Sequence, residues 1–273
     1  MLKSRIITAV ILLGLFLAAL FALPPFAWTG LVVLIVMQGI AEWAKLAKLS
    51  GRSAKIYWLV SLLAMLLIVW LDAHQVDSAA VLRMVVYGVA ALLWLIIVPT
   101  WMIASWQVSD TKLMALLGWA VLIPTGLAML DLRVVSPWLL LFIMGLVWVA
   151  DSTAYFVGRK LGKHKLAPSI SPGKTWEGVA GAMLGVSAYV ILVWSFAPNV
   201  AQHAMLPIAL LAAWWWVGLA VIGDLFESAI KRQAGVKDSG ALLPGHGGLL
   251  DRIDALTATL PLAALVLLLQ PLQ

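Results

Sequence analysis

Nine stretches of roughly 20 residues each are almost free of charge. They fall at positions 6–23, 26–44, 56–72, 81–98, 112–130, 137–157, 177–196, 207–223 and 254–270. A hydrocarbon core about 30 Å thick is crossed by about 20 apolar residues in a helix. Within lipid only helices and closed barrels satisfy their own backbone. The runs therefore predict an all-α, polytopic integral membrane protein with about nine transmembrane helices. The composition agrees: 64% of the residues are hydrophobic and the mean hydropathy is +1.05, whereas soluble domains are about 45–50% apolar. Pro24-Pro25 turns the chain between the first two spans, and Pro99, Pro137, Pro198 and Pro207 punctuate later ones. The start, MLKSR followed by an apolar run, resembles a signal peptide. Leu23-Pro24-Pro25 then leads straight into another apolar run with no small-residue cleavage site, so the first span is expected to be retained.

Charge orients the bundle. With nine spans, 16 of the 18 basic residues fall in segments on one side, and only Arg83 and Arg133 on the other. The positive-inside rule makes the crowded side cytoplasmic. The net charge of +6 then reads as basic cytoplasmic loops plus an anionic ligand, not as a nucleic-acid surface. There is no cysteine, hence no disulfide framework and no thiolate metal site. No internal repeat, linker or low-complexity segment divides the chain. Residues 1–273 are expected to form one membrane domain, with 1–136 mainly scaffold and 137–273 carrying the chemistry.

Two polar segments interrupt the second half. The first runs from Asp151 through Tyr155, Gly158 and Arg159 to Ser171-Pro172-Gly173-Lys174-Thr175. Asp151 closes an apolar run, and an ionisable group at the membrane edge is a functional candidate by default. Asp151, Tyr155 and Gly158 share a helix face by spacing. Ser171, Lys174 and Thr175 stand just before the seventh span, where free helix N–H groups beside a lysine suit an anion. The spacing is not that of a P-loop.

The second segment begins at Asp224 and continues through Ser228–Asp254. Asp224, Ser228 and Lys231 fall on one helix face. Gly247 and Gly248 permit close backbone approach. Asp251 and Asp254 open the last span, where carboxylates are favoured. Asp224 and Asp251 come from different spans and are candidates to hold one Mg²⁺, with Asp254 beside them. Mg²⁺ commonly takes one or two carboxylates plus substrate phosphates and waters. Lys231, Arg232, Lys237 and Arg252 would neutralise the remaining charge. His246 has too few imidazole or thiolate companions for zinc.

These positions resemble the phosphatidate cytidylyltransferase (CDP-diacylglycerol synthase) family of bacteria. Its signature reads here as Ser228-Ala229-Ile230-Lys231-Arg232, Lys237-Asp238, Gly240, Pro244, His246-Gly247-Gly248 and Asp251-Arg252-Ile253-Asp254. The resemblance implies transfer of a cytidylyl group from CTP to phosphatidate, giving CDP-diacylglycerol and pyrophosphate, with Mg²⁺ and room for a second cation such as K⁺. It implies catalytic roles for Lys231, Arg232, Lys237, Asp238, His246 and Arg252. Substrate binding would fall to Asp151, Tyr155, Arg159, Ser171, Lys174, Thr175, Ser228, Gly247 and Gly248. Partners would be CTP, phosphatidate, the bilayer of a bacterial inner membrane and no nucleic acid; a homodimer is left open. Two other readings compete: a different lipid-phosphate enzyme such as a lipid kinase, and an anion transporter, which would predict an inverted repeat.

Overall fold

The computed structural model describes residues 2–74, 76, 78–196, 205–242 and 247–270, with the backbone alone at 2–7, 9 and 78. The helices are α1 (Leu2–Ala22), α2 (Pro25–Leu46), α3 (Gly51–Ala73), α4 (Ser78–Leu92), α5 (Val98–Ala104), α6 (Thr111–Val135), α7 (Pro137–Leu161), α8 (Trp176–Phe196), α9 (Leu206–Ala234) and α10 (Leu250–Leu269). A π-turn, Leu93–Ile97, joins α4 to α5. Among the described residues, eight rods are long and apolar enough to cross a membrane, with 79–104 counting as one. To these α1 adds a helix whose described apolar part is Val10–Ala22. The expected all-helical membrane fold is the fold observed, with one small addition described below, and the expected count of about nine spans is close to the eight qualifying helices.

Pro25 and Pro137 each occupy the first position of a helix, where the missing N–H costs nothing. Pro99 behaves differently from the expectation. It does not end the fourth span; the helix runs on to Ala104. The chain makes room for it with the π-turn, in which Val98 N–H donates to the Leu93 carbonyl five residues back. A local π register is a recurrent way to carry such an irregularity inside a helix. Pro198 lies outside the described residues.

The core is built around α6 and α10. Every residue from Ala255 to Ala264 of α10 is buried, against neighbours on α2, α4, α6, α7 and α9. Phe226 of α9 sits among the rings of Trp43, Trp94 and Trp101. Indole N–H groups tie helices together where no water reaches: Trp43 donates to the Met114 carbonyl at 2.7 Å, and Trp119 to Ser61 Oγ at 2.7 Å. By contrast α3 shows lipid long rows of exposed Leu, Ile and Val, as a lipid-facing helix should.

The two basic residues on the sparse side have assigned partners. Arg133 donates from Nε to the Leu20 carbonyl at 2.9 Å and from Nη2 to the Leu23 carbonyl at 2.5 Å, closing the C-terminal end of α1. Its guanidinium also lies 4.9 Å from the Trp28 ring centre. Arg83 pairs with Asp72 at 2.9 Å and with Asp131, whose other oxygen accepts from Tyr87 Oη at 2.5 Å.

The addition to the all-helical expectation is a β-hairpin between α7 and α8: β1 (Lys165–Ala167) pairs antiparallel with β2 (Ser171–Thr175). It stands at the end of the bundle that carries the basic loops, where water can satisfy its outer edges.

Candidate active site

The hairpin determines where Lys174 goes. Lys174 lies just before the helix, as expected, but in an extended strand. The pairing is irregular here: β2 advances four residues from Ser171 to Thr175 where β1 advances two from Lys165 to Ala167. Thr175 turns inward, is buried, and accepts from Gly178 N–H at 3.1 Å. It is thus the N-cap of α8, so its hydroxyl consumes one of the helix N–H groups that an anion was expected to use. Lys174 Nζ reaches across to α9 and meets Asp224 Oδ2 at 2.6 Å. This contact joins the two polar segments that sequence alone left apart.

Asp224 is brought to the site by a helix crossing. A Cβ on Gly223 would stand 2.8 Å from the Asp254 carbonyl oxygen and 3.1 Å from Ala255 Cα. Glycine lets α9 and α10 approach to that distance, and it places Asp224 beside Asp254. Asp151, at the end of the apolar part of α7, faces the same spot; Asp224, Lys174 and Arg252 all lie within electrostatic reach of it. Glu227, one helical turn beyond Asp224, is buried beside the Asp254 carboxyl, and its oxygens accept no N–H or hydroxyl bond among the described residues. Its nearest cation is Lys231 Nζ at 3.5 Å. Ser228 Oγ lies 3.4 Å from Asp224 Oδ1, a long contact that leaves the carboxylate open.

Asp251 is placed differently from the expectation that it shares one ion with Asp224. Its oxygens are already filled. Oδ1 takes Lys231 Nζ at 2.6 Å, and Oδ2 takes Gly248 N–H at 2.8 Å, Ser239 N–H at 3.0 Å and Ser239 Oγ at 3.0 Å. Only 7% of its side chain is exposed, against 31% for Asp224. Asp251 therefore ties down the turn between α9 and α10, and the carboxylate that accompanies Asp224 is that of Asp254. Gly247, at φ +83°, makes the reversal ahead of that turn, a left-handed conformation that costs glycine nothing.

A residue that sequence reasoning passed over completes the turn. Glu42, near the end of α2, is buried and accepts from Gln38 Nε2 at 2.9 Å, Leu249 N–H at 3.0 Å and Leu250 N–H at 2.9 Å, and it shares the one Ser239 hydroxyl proton, with Oγ at 3.1 Å, with Asp251. Two of those donors are the otherwise orphaned N–H groups that open α10. The signal was present: Glu42 is an acid inside an apolar run, the same feature that singled out Asp151.

Other expected positions stay at the periphery. Tyr155 and Arg159 are exposed and paired with each other, Arg159 Nη1 donating to Tyr155 Oη at 2.9 Å. Lys237 and Asp238 are exposed in the loop after α9 and make no ion pair among the described residues. Arg232 is exposed on α9 and flanks the face that bears Asp224, two turns further along the helix. Gly248 stands against Glu42 and Ser239, where it serves the turn. His246 lies outside the described residues, as does Pro244.

The assembled site is thus a partly buried cluster of Asp151, Asp224, Glu227, Asp251 and Asp254 with Lys174, Lys231 and Arg252, at the end of the bundle bearing the basic loops. Five carboxylates face three cations. Among the described residues no three His, Asp or Glu side chains stand at metal-ligand geometry. The open carboxylate of Asp224 with Asp254 at its side, and Glu227 behind them, nonetheless suit a hard divalent cation whose remaining ligands are phosphate oxygens and water.

Comparison with known proteins agrees with this arrangement. The model of the cytidylyltransferase family matches residues 3–270. The chain is 36% identical over 282 positions to a phosphatidate cytidylyltransferase of Haemophilus influenzae, covering 96% of each protein. It is 37% identical over 269 positions to that of Pseudomonas aeruginosa, covering 98% of this chain and 97% of the other. A Brucella abortus phosphatidate cytidylyltransferase is 48% identical over 119 positions, 44% of this chain. With a match from end to end and a site of clustered acids and lysines at the polar end of a helical bundle, this chain belongs to the cytidylyltransferase family.

Proposed function

We propose that the protein transfers a cytidylyl group from CTP to phosphatidate, producing CDP-diacylglycerol and pyrophosphate. The observation that carries this reading is the Lys174–Asp224 contact, which sets a phosphate-binding cation and an open carboxylate side by side at a membrane boundary. Both substrates are anions and meet at that boundary, one from water and one from the leaflet. An oxygen of the lipid phosphate attacks the α-phosphorus of CTP, a new P–O bond forms, and the bond from that phosphorus to the β-phosphate oxygen breaks. The electron pair leaves on pyrophosphate. The nucleophile is already an anion, so no strong base is required. What the chain supplies is positioning and charge.

Lys174 and Lys231 are the cations best placed to receive phosphate oxygens, since each already holds an oxyanion of the protein at 2.6 Å. Arg252 adds charge beside Asp151. Asp224 and Asp254 would hold Mg²⁺, which when bound offsets charge on the transferring and leaving phosphates; Asp151 and Glu227 would be the carboxylates for a second cation such as K⁺. We place the site on the cytoplasmic face of a bacterial inner membrane, which the 16-to-2 partition of basic residues supports.

Purified protein given labelled CTP and phosphatidate in mixed micelles should form CDP-diacylglycerol only when Mg²⁺ is present. Flux of an anion across vesicles without CTP turnover would instead favour a transporter. A reporter after position 273 should lie outside the cytoplasm, and one inserted between 159 and 164 inside it.

A further inference from the structure

A cavity lies beside the C-terminal half of α9, against Phe226, Ala229, Arg232 and Gln233. It encloses about 270 Å³ between the end of α5, the loop after it, the tip of the hairpin and α9. The residues that matter are Trp106, Gln107, Ser169, Ile170, Phe226 and Arg232. Its lining is polar over much of its area, in contrast to the apolar groove between α7, α8, α9 and α10. The loop bearing Trp106 and Gln107 is held in place from both sides. Trp101 Nε1 donates to the Trp106 carbonyl at 2.8 Å, and the Gln233 amide clasps Val108, accepting from its N–H at 3.1 Å and donating to its carbonyl. The Trp106 indole nevertheless remains 55% exposed. Arg232 makes no ion pair among the described residues.

Two elements connect this cavity to the Lys174–Asp224 pair. Along α9, Arg232 lies eight residues beyond Asp224, about 12 Å. Along β2, Ile170 lies four residues before Lys174, about 13 Å. The long side chains of Lys174 and Arg232 can shorten that interval from its two ends. We propose that this cavity receives the nucleoside end of CTP, with the base on the Trp106 indole and its edge read by the Gln107 amide, and with Arg232 on the phosphates that lead to Lys174. The proposal rests on the CTP-dependent reading given above. An aromatic face beside an arginine is a general base-stacking platform. Cytosine presents an exocyclic amino donor next to ring-nitrogen and carbonyl acceptors, and a primary amide carries one donor group and one acceptor to match. The exposed Ser169 hydroxyl at the rim suits a ribose hydroxyl.

The test uses the full-length protein, assayed with CTP and phosphatidate varied independently. Trp106→Ala should raise KM for CTP about tenfold or more, the loss expected for one stacked base, and leave KM for phosphatidate unchanged. Trp106→Phe should restore most of the difference. CMP should inhibit Trp106→Ala less than wild type. Gln107→Leu should erode the preference for CTP over UTP, and being exposed it carries the test if Trp106→Ala fails to fold. An unchanged KM for CTP with unchanged CMP inhibition overturns the proposal. So does a rise confined to KM for phosphatidate, which would give the cavity to the lipid. If wild type turned over no CTP at all, the functional reading would fall on its own; equilibrium binding of CTP, which Trp106→Ala must weaken, would then decide the cavity.

Discussion

The bundle has a charged cluster near each end, and the two are built to opposite rules. At the end away from the site, Arg83 is paired through both terminal nitrogens with Asp72 and Asp131, and Tyr87 fills the other oxygen of Asp131. Each acid there meets a donor. At the site end five carboxylates face three cations, the buried Glu227 accepts no N–H or hydroxyl bond among the described residues, and Asp224 keeps 31% of its side chain exposed. Charge in a membrane is costly in either place. The far cluster offsets most of that cost by pairing both carboxylates, with the Arg83 Nε left without a partner among the described residues, and it forms a clamp between α3, α4 and α6. The site cluster leaves part of the cost standing, which is what a receptor for a cation and phosphates requires. A surplus of unpaired acid, more than the presence of charge, distinguishes the two.

The contrast can be broken by mutation. The largest effect should come from Asp224→Asn, which should lower turnover about a thousandfold, since charge stabilisation around a metal is worth several kcal/mol. Thermal unfolding should stay near that of wild type. A near-normal rate with unchanged Mg²⁺ dependence would remove Asp224 from the chemistry and make the two clusters alike. Lys174→Ala should act in the same direction but less strongly, about a hundredfold on kcat/KM, and the double variant should be scarcely worse than Asp224→Asn, because groups acting as a unit are not additive.

The far cluster should respond the other way round. Arg83→Met strands Asp131 in a buried position and should cost about 3–5 kcal/mol of stability, read as a lower midpoint of unfolding in detergent, while kcat of the folded fraction is unchanged. A lowered kcat at full stability would show the clamp to be part of the working site. Glu42→Gln tests the turn between the two behaviours. It should cost about 2 kcal/mol from weakened bonds to Leu249 and Leu250 and raise KM moderately. Tyr155→Phe is the smallest: the exposed pair with Arg159 is worth about 0–1 kcal/mol, and activity should stay within about twofold.

Most of the fold was legible because the solvent imposes it. A run of apolar residues long enough to cross lipid has only one backbone solution, so the helices could be read one by one. Their ends could not. The apolar run of α9 stops at 223, but the helix, which the spacing of Asp224, Ser228 and Lys231 already carries past that point, runs to Ala234 and ends only at Gly235, φ +79°. Polarity marks where lipid ends; a helix ends where a cap or a left-handed residue stops it. The hairpin was missed for a related reason. Three to five residues of strand give too short a pattern to stand out beside Pro172-Gly173, and their pairing is a contact and not a periodicity.

The site divides in the same manner. The acids and lysines of the second half were identifiable by type and position, but their partners were not. Asp224 and Asp251 look equivalent in sequence. Only the donors around Asp251, from Lys231, Ser239 and Gly248, show that one is a fastener and the other is open. Glu42 lies 197 residues from Ser239 in the chain, and no local pattern links them.

The central position of α10 has a bearing on biosynthesis. This helix follows all the other described helices in the chain, yet it packs against α2, α4, α6, α7 and α9 and is buried without a break from Ala255 to Ala264. As the chain leaves the ribosome, the earlier helices enter the bilayer first and can surround only a vacant slot. Until α10 threads into it, Glu42 has no N–H groups to hold, Lys231 has no Asp251, and Asp224 has no neighbour across the crossing at Gly223. A chain in which α10 has not docked therefore carries acids at the membrane edge without the partners that the folded bundle gives them.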